Sequence, residues 1–98
     1  MEDILTFSAI YGKYNSESLE IKVKDGKICC ASLRTYHYDH GTTSGFYVEP
    51  EDKYFDRHVQ EAIRDYYLNC SQYKYEKFIE LLDQETLDKY FKKSYLPK

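Results

Sequence analysis

Five consecutive residues, Tyr36-His37-Tyr38-Asp39-His40, place two imidazoles, a carboxylate and two phenols in one short stretch. Histidine titrates near neutrality and an aspartate can orient an imidazole, so His37 or His40 is the natural acid or base of any chemistry here. A catalytic centre also draws partners from elsewhere in a chain. Neither a phosphate-cradling glycine loop nor a known catalytic spacing accompanies these five. The simpler reading is an exposed loop whose rings and polar groups meet a partner.

Metal is the second chemistry to weigh, because Cys29, Cys30, His37, His40, His58 and Cys70 are all competent ligands. Structural zinc sites use close pairs such as CxxC, and this chain has none. Adjacent Cys29 and Cys30 diverge on a strand, and three cysteines do not make a disulfide framework. Buried, unreactive thiols in a reducing compartment are expected, with no metal and no cofactor.

Charge supplies two further candidates. From Glu49 to Asp65 there are six acids against three bases, and carboxylates on a helix can imitate a phosphate row. Lys53, Arg57 and Arg64 interrupt that row, which favours an ordinary solvated face carrying Asp52, Asp56 and Glu61. The opposite pattern closes the chain, where Lys89, Lys92 and Lys93 stand beside Tyr90, Phe91 and Tyr95 and suggest a grip on single-stranded nucleic acid. Lysines near a helix C-terminus also complement its dipole. A net charge of −3 and a pI near 5.6 provide no global positive field, so nucleic acid ranks third among partners.

These residues must be positioned by one domain, since 98 residues suffice for a single modest core over residues 1–98. The stretch from Glu49 to Cys70 organises it. Phe55, Val59, Ala62, Ile63, Tyr66 and Cys70 recur at helical spacing, with Asp56, Arg57, Gln60, Glu61, Arg64 and Asp65 opposite. Pro50 suits the first helical position, with Glu51 and Asp52 in the first turn. Upstream, Leu5, Phe7, Ala9 and Tyr11 alternate within a strand predicted from Ile4 to Tyr14. Leu19, Ile21 and Val23 alternate in a second, and a third runs from Lys27 to about Tyr36.

Asp25-Gly26 marks a hairpin between the second and third strands. A bulge at Gly26 is expected, because it sets Leu19 and Ile21 on the face of Cys29, Ala31 and Leu33. His37 to Gly45 reads as loop, and Phe46-Tyr47-Val48 as a short fourth strand. Ser71 can cap a second helix carrying Tyr75, Phe78, Ile79 and Leu82. Asp83 can cap a third, with Leu87, Tyr90 and Phe91 on its apolar side and Pro97 at its end. Strands first and helices afterwards predict an α+β fold: an antiparallel sheet of three to four strands packed against three C-terminal helices.

Twelve tyrosines without a tryptophan are an unusual load. Large rings filling a small core are the simpler reading, since those at helical spacing are accounted for by packing, while the surplus beyond the core suits a surface that binds. The acidic N-terminus lacks a secretory pattern and no stretch has membrane-spanning length, so a cytoplasmic protein is expected. In size, mild acidity and lack of catalytic motifs the chain is similar to small inhibitors of phages and mobile elements, such as anti-CRISPR proteins, and to bacterial immunity proteins. That likeness of composition implies a non-enzymatic inhibitor that blocks a larger protein or nucleoprotein with a basic surface. The expected surface comprises Tyr36, His37, Tyr38, Asp39 and His40, with Asp52, Asp56 and Glu61 as acidic complement. The alternatives are a small enzyme using His37 or His40, and a nucleic-acid accessory protein. Exposed hairpin edges also permit a homodimer.

Overall fold

The computed structural model describes residues 4–12 and 15–91. Four strands come first: β1 (Ile4–Tyr11), β2 (Ser16–Lys24), β3 (Lys27–His37) and β4 (Thr42–Val48). Three helices follow: α1 (Phe55–Asn69), α2 (Gln72–Glu80) and α3 (Gln84–Tyr90). The strands form one antiparallel meander in the order β1-β2-β3-β4. The helices pack on one side of it, and the predicted α+β architecture is the observed one.

Alternation explains which side. Leu19, Ile21 and Val23 of β2 are buried while Glu20 is exposed, and Phe7 and Ala9 of β1 stand opposite Ile21 and Leu19. Phe55, Val59, Ala62, Ile63 and Tyr66 of α1 close over them. Each fully buried aliphatic side chain contributes about 1.5–3 kcal/mol, so this layer supplies most of the driving force for folding. Phe7, Tyr66 and Phe78 join it edge to face, with ring centroids 5.2 Å apart for Phe7 and Phe78 and 5.4 Å for Tyr66 and Phe78. Much of the tyrosine surplus is thus core: Tyr66, Tyr75 and Tyr90 are all buried.

The β2–β3 hairpin departs from expectation in an instructive way. Asp25 and Gly26 both have positive φ, at 54° and 81°, the signature of a tight type I′ turn, and Lys24 pairs directly with Lys27. The bulge lies further along β3. Val23 faces Ile28 but Lys22 faces Cys30, which leaves Cys29 as the extra residue. The tight turn satisfies strand twist and brings Ile28 inward beside Val23. The displaced bulge then restores Ala31 and Leu33 to the same side, opposite Ile21 and Leu19.

Three boundaries also differ. Residues 49–54 form turns rather than helix: the Asp52 N–H donates to Glu49 O at 2.8 Å, and the Asp52 carboxylate accepts from the Glu49 N–H at 2.7 Å. The fixed φ of proline suits the second position of such a turn as well as a first helical position, so Pro50 did not separate the two. β4 begins at Thr42 rather than Phe46, which confines the loop to residues 38–41. β1 ends at Tyr11; Tyr14 and Pro97 lie outside the described residues.

Both predicted caps form. Ser71 Oγ accepts from the Lys74 N–H at 3.2 Å, and Asp83 Oδ1 from the Thr86 N–H at 2.8 Å. The short α3 is tied down twice. The Asp83 N–H donates to Gly26 O at 2.9 Å, and Lys27 Nζ reaches Asp83 at 2.9 Å and Glu85 at 2.6 Å. At its other end the Tyr90 hydroxyl donates to Asp56 Oδ1 at 2.6 Å.

Candidate functional site

Because the helices cover one side only, the other side of the sheet presents its outward residues to solvent. Register gathers them into rows that cross all four strands. Ile10, Ser18, Arg34 and Gly45 form one row; Ser8, Glu20, Ser32 and Tyr47 form the next. Ser8, Ser18, Ser32 and Gly45 leave a floor of small groups, and a depression of about 710 Å³ runs across the strands above them. Ile10, Glu20, Arg34 and Tyr47 rise around it. No helix among the described residues covers this face, where Ile10 is 78% exposed and Tyr47 61%.

Gly45 is required by the backbone. Its φ is 145°, and a Cβ there would fall 1.8 Å from the Leu33 carbonyl oxygen. The bare position opposite Arg34 therefore follows from how β4 pairs with β3, and it leaves the guanidinium open to the trough.

The electrostatics of this face differ from those of the helical side. Lys22, Lys24 and Arg34 face outward with Glu20 as the acid among them, whereas acids outnumber bases along residues 49–91. The Tyr47 hydroxyl donates to Glu49 Oε2 at 3.1 Å; the neighbouring Cys30 thiol foremost, and then this carboxylate, push its pKa up to about 12. It therefore remains a neutral donor at physiological pH. Burial raises the thiols of Cys29 and Cys70 above their ordinary value, which disfavours the reactive thiolate.

The five-residue stretch falls at the tip of the β3–β4 hairpin. Tyr36 and Tyr38 meet edge to face, their centroids 5.3 Å apart, and both are exposed. Tyr36 lies on the outward positions of β3, in line with Arg34, so it extends the trough. His37 belongs to the opposite set and shares a hydrogen bond of 2.9 Å with Ser44 Oγ. Asp39 and His40 are exposed in the turn, which the Gly41 N–H closes onto His37 O at 2.8 Å.

The acidic complement stands apart from this tip. Tyr36 pairs with Thr43, while Asp52 comes after the far end of β4, so at about 3.3 Å per residue roughly 17 Å of strand separates them. Asp52 is engaged by its turn. Asp56 is held by Tyr90 and by Lys89 Nζ at 3.1 Å, and its carboxyl is lowered below the ordinary range chiefly by the Tyr90 hydrogen bond. Glu61 is exposed on α1, where its charge helps to raise Asp65 and Tyr11, burial being the larger cause for both.

The remaining histidine, His58, donates from Nδ1 to the Tyr54 carbonyl at 3.0 Å and packs at a tilt against Phe46, ring centroids 4.4 Å apart, a packing role. Among the described residues, no three His, Cys, Asp or Glu side chains gather closely enough to hold a metal ion. No described helix is long and apolar enough to cross a membrane.

Sequence reading missed Ser8, Ile10, Ser18, Ser32, Arg34, Gly45 and Tyr47. The available signal was small or polar residues at the alternate positions of every strand, together with Ile10 and Tyr47 at those same positions. Comparison with protein-family models, curated proteins and solved structures found no match to this chain.

Proposed function

We propose that this chain is a non-enzymatic binding protein that covers a surface on a larger macromolecule, and that the open face of its sheet does the covering. One observation carries the reading: a trough crossing all four strands is left uncovered by the helices while Ile10 and Tyr47 stand exposed along it, with Tyr36 exposed two residues beyond Arg34 on the same face. Exposed apolar groups around a concave floor mark interaction sites, and aromatic and arginine side chains are the usual anchors of such contacts. Small floor residues admit the backbone of an inserted convex element. Lys22 and Arg34 then suit carboxylates at its margin.

This revises the expected geometry of the partner. A basic target would face Glu61 and the other helical acids, whereas the trough suits an apolar ridge with an acidic border. Inhibition by steric occlusion fits either arrangement. The acid–base alternative has the His37–Ser44 hydrogen bond in its favour, but His37 lies outside the trough, on the other side of the sheet.

The test is affinity capture of the tagged full chain from its native cell, in parallel with an Arg34→Glu, Tyr47→Ala variant and a Lys77→Ala control on α2. The reading requires a stoichiometric large partner held by wild type and control, with affinity at least about thirtyfold weaker for the trough variant, the roughly 2 kcal/mol of a central anchor. Circular dichroism verifies that each variant is folded. Undiminished capture by the folded trough variant would remove the open face from the proposal.

A further inference from the structure

We infer that a second copy of this chain pairs antiparallel along β1, joining two sheets about a two-fold axis at Phe7. β1 is an edge strand, so the backbone groups on its outer side have no strand partner within the sheet. Edges are ordinarily guarded by lysine, proline or a bulge, yet Ile4–Tyr11 contains neither a charge nor a proline, and its pairing with β2 is unbroken. Three of its aliphatic side chains are exposed instead: Ile4 at 54%, Leu5 at 43% and Ile10 at 78%.

The arrangement of these groups selects the occupant. Ile4 and Ile10 lie three residues to either side of Phe7 and point to the same face, so pairing centred on Phe7 sets Ile4 against Ile10 of the copy, twice by symmetry. On the helix side the same register places large Leu5 against small Ala9. No charge meets a like charge along the strand, which matters for a chain carrying −3 overall. The other edge, β4, is also uncharged but offers Thr42, Thr43, Ser44 and Gly45, and its one aliphatic residue, Val48, is buried.

Size sets the strength. Eight residues span about 27 Å and a sheet is about 10 Å thick, giving a contact of about 270 Å² in cross-section. That is small beside the roughly 800 Å² per partner of a standard interface, so the dimer depends on protein concentration.

Sedimentation velocity on the full chain over a wide concentration range tests the inference by mass alone, independently of any target of the open face. The expected result is a reversible monomer–dimer equilibrium. Ile10→Lys, at an exposed position, raises the dissociation constant at least about tenfold. The double variant Ile4→Glu with Ile10→Lys recovers dimerisation, because opposite charges then face each other across the axis. A monomer at every concentration would overturn the inference. So would a dimer indifferent to Ile10→Lys, a double variant no better than the single one, or species growing beyond two copies, which signify β1 meeting β4 of the next chain.

Discussion

Deleting Cys29 tests how the open face is positioned. With the tight turn at Asp25-Gly26 kept, Val23 still faces Ile28, and removal of the extra residue lets Lys22 face Cys30 in a regular ladder. Ala31 and Leu33 then stay opposite Ile21 and Leu19, while Ser32 and Arg34 stay on the open face. The competing outcome is a slip of β3 by one place against β2. It would bring the half-buried Leu33 to the surface at about 1 kcal/mol, with a similar loss for the fully buried Ala31. It would also force the Arg34 guanidinium beneath α1 without a partner, at several kcal/mol more. That total, at least about 5 kcal/mol, rivals the roughly 5–15 kcal/mol of net stability that a domain has, so the preserved pairing wins. The deletion itself removes one half-buried side chain and local twist, about 1 kcal/mol, so in a far-ultraviolet circular dichroism melt the variant should unfold cooperatively within about 8 °C of wild type, as should Cys29→Ala. A deletion variant without a cooperative transition would refute the reasoning.

Gly45→Ala should lower stability by about 2–4 kcal/mol, because the backbone must move to free a Cβ 1.8 Å from Leu33 O at a φ of 145°. Urea unfolding reads this directly, and a change under about 0.5 kcal/mol would contradict the pairing. Acid should loosen α3 through Asp83, whose carboxyl is held down at about 2, first by Lys27 and then by the Thr86 N–H. Since the folded pKa lies below the ordinary 3.8, this stabilisation is fully present above that value and lost as pH falls through about 2. Asp83→Asn should flatten the melting temperature over that window, and an unchanged slope would remove Asp83 from the account.

The parts legible in sequence are those where one local rule acts alone. Leu19, Ile21 and Val23 announce a strand with one wet face, and Phe55, Val59, Ala62, Ile63 and Tyr66 announce a helix, because each pattern needs only its own period. Ser71 and Asp83 were equally readable as caps, since a capping side chain reaches only three residues onward. Pro50 was ambiguous for the converse reason: one preferred φ serves two structures.

The trough was not legible because no local rule links its members. Ser8, Ser18, Ser32 and Gly45 are scattered along the chain and become neighbours only when three separate registers are known. Two of those registers follow from alternation once the strands are placed. The third depends on where β3 takes its extra residue, and the apolar pattern alone accepts either Gly26 or Cys29. The type I′ geometry at Asp25-Gly26 decides between them, since a turn that pairs Lys24 with Lys27 leaves the correction to occur downstream. That correction keeps Leu33 under the helices and, by the same step, turns Arg34 and Tyr36 out to the open face. Core and candidate surface are thus two consequences of one displaced residue, and closing the bulge so that Cys29 paired with Lys22 would disturb both together.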